Sequence, residues 1–332
     1  MDSALATQIG KYLIDPGRDG LDSSYPWPSI AFVDLDACAH DAMMARLPPF
    51  PVIGIGDPRH PLVSRLDAVI EAPILPERLI RQAEQRPHAS AALVQLLRTL
   101  EGMSCEKALV MESLCYGMLQ GGAEFAAWLT SRPQEKPPAS GAVRLDRREA
   151  VLHVVLDRPW ARNAIDREMR DQLFDAFTLA AADDSLRAVK VRAVGTVFSA
   201  GGDLSEFGTT RDPATAHLIR SRTLPAAALA RRADIVDVHV QGPCVGAGIE
   251  MAAFASRVTA APDAWFQLPE VAMGLIPGAG GCVSVPRRIG RQRAALMMLS
   301  GQQIDAPTAL RWGLIDAIES EAPVDEGGTH VR

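Results

Sequence analysis

Cysteine is scarce in this chain of 332 residues: the five, Cys38, Cys105, Cys115, Cys244 and Cys282, are odd in number and contain no C-x-x-C pair. Such usage indicates neither a disulfide framework nor a zinc cluster, and it makes a reducing, cytoplasmic compartment the expectation. No stretch approaches 18 uninterrupted apolar residues, so no transmembrane helix is expected. Residues 1–20 carry charges where a signal peptide would need an apolar run, so no secretory signal is expected either. The seven histidines are scattered singly, without H-E-x-x-H or similar spacing, and no metal site is expected. Lys and Arg number 34 against 40 Asp and Glu and form no concentrated run, which argues against nucleic acid or an anionic membrane as a partner.

What remains is an ordinary globular composition, 48% hydrophobic and 22% charged, long enough for one large domain and a smaller one. Residues 1–29 mix Gly, Pro, Ser and Asp and read as an irregular arm. The runs Ile30-Ala-Phe-Val33 and Pro51-Val-Ile-Gly-Ile55 flank a helix-like stretch at 39–47, a small strand–helix–strand unit. From 76 to 128 the pattern turns helical. Leu79, Ile80 and Ala83, then Leu93, Leu96, Leu97 and Leu100, recur at three- and four-residue steps, and Ser104 stands before a further helix, predicting two or three packed helices. The stretch 131–141 has three prolines and almost no apolar content, the composition of an extended linker. Boundaries follow at 1–65, 66–132, 133–142 and 143–332. Beyond the linker, 151–156, 188–194, 235–240 and 257–260 read as strands, and 166–182 and 246–255 as helices. This alternation predicts an α/β class with a largely parallel sheet, whose ligand crevice opens past the carboxyl ends of the strands.

Three segments sit where that crevice would form: Phe198-Ser-Ala-Gly-Gly-Asp203, Gly246-Ala-Gly-Ile-Glu250 and Phe266-Gln-Leu-Pro-Glu270. Glycine-rich turns leave backbone N–H groups free to meet a developing oxyanion, and carboxylates beside them can act as general acid and base. The chemistry implied is polarisation of an acyl carbonyl with proton transfer next to it.

With Leu156-Asp-Arg-Pro159, Arg162-Asn-Ala-Ile165, Gln241-Gly-Pro-Cys-Val245 and Gly274-Leu-Ile-Pro-Gly-Ala-Gly-Gly281 added in order, residues 143–318 resemble the enoyl-CoA hydratase/isomerase (crotonase) superfamily. The resemblance implies a crotonase-like (ClpP/crotonase) ββα spiral core and an enoyl-CoA hydratase-like lyase acting on an acyl-CoA substrate. Coenzyme A would enter as part of that substrate, with no metal, flavin or nicotinamide. By motif position, the backbone N–H groups of Gly202 and Ala247 would hold the thioester enolate, alanine standing where the family usually has glycine. Glu250 and Glu270 would hold a water, Glu250 as base and Glu270 as acid, although a shared or reversed role is equally compatible with a coupled pair. Arg162-Asn-Ala-Ile165 resembles the loop that meets the CoA adenine, which nominates Ala164 and Ala200 as CoA contacts and Arg158 and Arg162 as phosphate contacts, a solvated basic loop being the alternative. Asp203 reads as a turn or helix cap. Trp265, Phe266 and Met273 are candidates for the acyl pocket or for ordinary core. Alternatives are another crotonase activity (isomerase, decarboxylase or hydrolase, cofactor-free oxygenase) and a non-catalytic acyl-CoA-binding subunit.

One feature departs from the family: the helices that usually follow the Ala309-Leu-Arg-Trp-Gly-Leu-Ile-Asp316 segment are missing there. The stretches 79–93 and 105–128, including Glu112-Ser-Leu-Cys-Tyr116 and Phe125-Ala-Ala-Trp128, resemble those helices but precede the core. A circular permutation is the expectation, with a homotrimer or dimer of trimers as the family's assembly; an unrelated helical domain is the alternative.

Overall fold

The computed structural model describes residues 9–16, 28–39, 47–133 and 136–320. Most of the arm, the helix expected at 39–47 and the last twelve residues lie outside the described residues. The two β-branched runs form β1 (Ala31–Asp34) and β2 (Val52–Ile55), and β3 (Ala68–Val69) joins them in a parallel sheet of order β1-β2-β3. Phe32, Val33, Val52 and Ile53 are fully buried, as strands covered on both faces require.

Helices α1 (Pro76–Gln85), α2 (Pro87–Leu100), α3 (Cys105–Gln120) and α4 (Ala123–Ser131) follow, more than the two or three expected. The extra divisions have local causes. Pro87 lacks the N–H that would continue α1 into α2, and Gly121-Gly122 separates α3 from α4. The leucine spacing did mark the inner faces: Leu79, Leu93, Leu96 and Leu97 are buried. Residues 136–140 are exposed and irregular, as the proline content predicted, until Gly141 donates its N–H to the Asp166 carboxylate at 2.9 Å.

The second part contains β4 (Ala142–Arg148), β5 (Val151–Asp157), α5 (Arg167–Ala182), β6 (Ala188–Ala193), α6 (Pro213–Thr223), α7 (Pro225–Leu229) and β7 (Val236–Val240). It continues with β8 (Pro243–Val245), α8 (Ala247–Ala252), β9 (Arg257–Ala260), β10 (Trp265–Gln267), α9 (Gly281–Ser300), β11 (Ile304–Asp305), α10 (Ala306–Trp312) and β12 (Ala317–Ile318). The main sheet has the order β12-β9-β7-β6-β5-β4, parallel throughout except for β4 against β5; β11-β10-β8 make a smaller sheet. In β5 the alternate residues Leu152, Val154 and Leu156 point into the core. Asp166 caps α5 by accepting the Met169 N–H at 2.8 Å. Helix α8 stops at Ala252, short of the 255 expected.

The helices before the linker are not a separate body. Leu79, Leu93, Leu97 and Phe125 belong to the same buried cluster as Leu296, Met297 and Leu299 of α9, against which α1, α2 and α3 pack. Helix α9 is broken at Gly290, whose φ of 80° and ψ of 157° are non-helical. Among the described residues no helix is long and apolar enough to cross a membrane.

Candidate active site

Strands β6 and β7 are parallel neighbours, so the segments leaving their carboxyl ends emerge side by side. Phe198 N–H donates to the Gln241 carbonyl at 2.9 Å, and Val245 N–H donates to the Ser199 carbonyl at 2.9 Å. The two chains then approach through glycine. A Cβ on Gly201 (φ +93°) would stand 3.1 Å from the Val245 oxygen, and one on Gly246 (φ +47°) would meet Glu270 Oε1 at 2.7 Å. These positions need both the positive φ and the missing side chain. The next residues are Gly202 and Ala247, and neither N–H donates to a protein acceptor among the described residues. Ala247 opens α8, where the N–H is an orphan of the helix and carries its partial positive charge.

The Arg162-Asn163 turn buttresses this arrangement from behind. Asn163 is fully buried; its Nδ2 donates to the Val194 and Val197 carbonyls at 2.8 Å each, and its Oδ1 accepts the Arg158 N–H. Ser199 Oγ donates to the Asn163 carbonyl and accepts the Gly201 N–H at 3.1 Å. Arg158 corrects the expectation of a phosphate contact, and of a solvated loop as well. It is 1% exposed, with Nη1 donating to Asp203 at 2.7 Å and to the Ala164 carbonyl at 2.9 Å, and with Asp166 at 3.4 Å. Its charge is spent inside the protein. Asp203 has the capping role expected, accepting the Ser205 N–H at 2.8 Å. Burial opposes ionisation of Asp203, yet the bonds from Ser205 and Arg158 hold its carboxyl below the ordinary range.

Arg162 is exposed and lines a groove of about 420 Å³ with Pro159, Trp160 and residues 194–197. Ala164 and Ala200 are half-buried nearby, the Ala200 N–H already donating to the Arg162 carbonyl. Phe266 is ordinary core at 0% exposure, and neither it nor Trp265 nor Met273 lines the cavity at Gly202. That cavity, about 200 Å³, is walled by Tyr116, Phe125, Ile165, Phe207 and Arg220 together with Gly202. A larger one of about 910 Å³, between the ends of β2 and β3 and the break in α9, shares no residue with the carboxylate site.

Glu250 and Glu270 are 2% and 8% exposed; Glu270 stands against Gly246, and Glu250, on the helix that Ala247 opens, stands against Gly281. Oε2 of Glu250 accepts the N–H groups of Ala279 at 2.7 Å and Gly281 at 2.9 Å, and Oε1 has no hydrogen bond among the described residues. Burial pushes Glu250 up to about 7, against the pull of those two donors. Glu270 has a buried Oε2 with no partner, and burial, followed by the charge of Glu250, pushes it well above the ordinary carboxylate range. The environments therefore set the two apart. Two N–H donors favour the carboxylate form of Glu250, while Glu270, desolvated and with one carboxyl oxygen unpartnered, favours its acid form.

Two side chains at this site come from α3. Glu112, 1% exposed, accepts the Gly280 N–H at 2.7 Å and the Cys282 N–H at 2.8 Å. Tyr116 presses its ring against Gly278, where a Cβ would meet Cδ2 at 2.2 Å, and burial pushes its phenol up. Their sequence signal was the resemblance of Glu112-Ser-Leu-Cys-Tyr116 to the family's later helices and the helical register that places 112 and 116 on one face of α3, neither of which marked them as site residues. Helix α4 closes the side behind Gly202: Trp128 stacks on Phe125 and meets Phe207 edge-on, and Arg132 donates to the Leu204 carbonyl at 2.7 Å.

The model of the enoyl-CoA hydratase/isomerase family matches residues 146–330. The 2,3-dehydroadipyl-CoA hydratase of Escherichia coli is 34% identical over 174 residues, 52% of this chain and 68% of that protein. The mevalonyl-coenzyme A hydratase SIDH of Beauveria bassiana is 35% identical over 189 residues, 54% of this chain and 66% of that protein. For a hydratase-named protein of Arabidopsis thaliana the share spanned is 56% of its length. Among solved structures, an enoyl-CoA hydratase/isomerase from Marinobacter aquaeolei superimposes with a TM-score of 0.50 at 28% identity, covering 54% of this chain and 70% of that one. Pseudomonas aeruginosa AtuE gives 0.50 at 31% identity, with 54% and 70% covered. Glycine turns that expose two N–H groups, glutamates seated beside them and a family match over more than half the sequence agree: the chain belongs to the enoyl-CoA hydratase/isomerase family.

Proposed function

We propose that the protein adds water reversibly across the α,β double bond of an acyl-CoA thioester. The observation that supports this most is a pair of buried glutamates next to the free N–H groups of Gly202 and Ala247, Glu270 against Gly246 and Glu250 on the helix that Ala247 opens. The thioester oxygen accepts both N–H groups. Water sits between the two carboxyls; Glu250 takes one of its protons as the oxygen bonds to Cβ. The electron pair of the double bond moves onto the thioester oxygen as an enolate, which the two donors stabilise by about 3 kcal/mol each. Glu270 then delivers its proton to Cα, the carbonyl re-forms, and the proton on Glu250 returns to Glu270 as the next water binds. Arg162 and the groove beside it are assigned to the CoA portion, with no part for Arg158.

We read α1–α4 as the counterpart of the helices that in the resembling family follow the core, with a homotrimer or dimer of trimers as the assembly. Their shared core with α9, and Phe125 on the cavity wall, support that reading. The test of function is a panel of 2-enoyl-CoA thioesters incubated with the purified protein. Loss of the conjugated enoyl-thioester absorbance with appearance of a 3-hydroxyacyl-CoA is expected; thioesters that bind but persist would leave an acyl-CoA-binding subunit instead.

A further inference from the structure

Glu112 lies outside the family match, on a helix that precedes the linker, and yet it completes the frame around Glu250. The turn that opens α9 offers four successive backbone N–H groups, and two carboxylates divide them alternately. Glu250 Oε2 takes Ala279 and Gly281; Glu112 takes Gly280 with Oε1 and Cys282 with Oε2. The alternation requires Gly280 in the left-handed region, φ +107°, where a Cβ would meet Phe254 at 2.6 Å. On Gly281 a Cβ would meet Glu250 Cγ at 2.6 Å. Ser284 Oγ adds a bond to the Glu250 carbonyl at 2.7 Å. Glu112 thus takes the N–H groups of the turn that Glu250 leaves.

We propose that Glu112 is a positioning residue: it locks the glycine turn that aims Glu250 by taking the two N–H groups of that turn that Glu250 leaves, and through the shared turn its ionisation is coupled to that of Glu250. The helices before the linker thereby form part of the catalytic machinery. The groups facing Glu112 leave it little else to respond to. Cys105, Cys115 and Tyr116 of α3 and Cys282 of α9 all have raised pKa values and stay neutral. Burial, followed by the charge of Glu250, pushes Glu112 itself well above the ordinary carboxylate range, against the pull of Gly280, Cys282 and of Arg220 of α6, which stacks on Tyr116 and donates to Ser113. Repulsion between Glu112 and Glu250 is mutual, so removing either charge eases ionisation of the other.

The turnover readouts rest on the hydratase reading; the titration does not. Wild type, Glu112→Gln and Glu250→Gln proteins carrying 13C at the glutamate carboxyls are titrated by NMR, the resonance lost in each variant giving the assignment. Glu250 should ionise about 1 pH unit lower in Glu112→Gln, and Glu112 about 1 unit lower in Glu250→Gln. In turnover, Glu112→Gln should move the acid limb of kcat/KM downward by the same amount, lower kcat by roughly 10-fold and leave KM within about two-fold. Glu112→Asp keeps the charge but withdraws it from Gly280 and Cys282, so kcat should fall with the limb in place. If Glu112→Gln does not fold, the comparison of wild type with Glu250→Gln still decides. A Glu112 titration indifferent to Glu250→Gln, or a slower Glu112→Gln enzyme with an unmoved limb, overturns the proposal. Mutual shifts in a protein that hydrates no thioester would uphold the coupling and sink the hydratase reading.

Discussion

Replacing Gly246 by alanine places one methyl group at the most crowded point of the site. Two effects separate cleanly. The backbone there has φ +47° and ψ −124°, a region hostile to L side chains, and occupying it costs about 1–3 kcal/mol. The new Cβ would also lie 2.7 Å from Glu270 Oε1, so the carboxyl must withdraw by several tenths of an ångström or more. Displacements of that order cost catalysis about 100-fold when they misalign an acid. Gly102→Ala is the control: φ there is +76° with nothing within 4 Å of the added atom, so strain of about 1 kcal/mol comes without any contact near the site. Denaturant unfolding and steady-state hydration assays on both variants give the comparison. Gly246→Ala should lose stability and kcat, Gly102→Ala stability alone. A Gly246→Ala enzyme with wild-type kcat would refute the placing of Glu270 against this turn.

Other outcomes follow from the same geometry. Gly202→Pro removes one N–H donor and should raise the barrier to hydration by about 3 kcal/mol in the protein that folds, read from kcat. Glu250 has its folded-state pKa raised from 4.5 to about 7, so its contribution to stability is fully present below pH 4.5 and is lost as pH rises through 7. The loss is on the order of 3 kcal/mol. Thermal melts from pH 5 to pH 8 should fall for wild type and fall less for Glu250→Gln, where the buried Glu270 and Glu112 still titrate; parallel curves would contradict the raised value. Deleting residues 1–140 would bare the faces of α9 against which α1, α2 and α3 pack, and the remainder should aggregate or lose CoA-ester binding. A soluble, active and normally assembled remainder, judged by light scattering, would show that the helices are an independent addition.

Much of this site was legible because its chemistry is local in sequence. Gly202, Ala247, Glu250 and Glu270 each sit in a short segment at the end of a strand, and the parallel β6–β7 pairing brings the first two segments together. The helical register of Leu93, Leu96 and Leu97, and the cap at Asp203, were readable for the same reason. What escaped depends on long-range contact. Arg158 looks like a surface cation until Asp203 and Asp166 converge on it from 45 and 8 residues away. Glu112 lies 168 residues from the N–H it accepts, and its resemblance to a family helix and its register say nothing of that bond. Strand β4 is a charged, largely exposed edge paired antiparallel with β5, so no alternating pattern announces it.

In the proposed reaction Glu250 and Glu270 act as one unit on a thioester, and the most direct measurement is kcat/KM for wild type, Glu250→Gln, Glu270→Gln and the double variant on the same 2-enoyl-CoA. Each single substitution should lower kcat/KM by at least about 100-fold with CoA-ester affinity retained. The double variant should fall little below the worse single one, because groups that act together are not additive. Wild-type turnover in either single variant, or fully multiplicative losses in the double, would contradict the paired role.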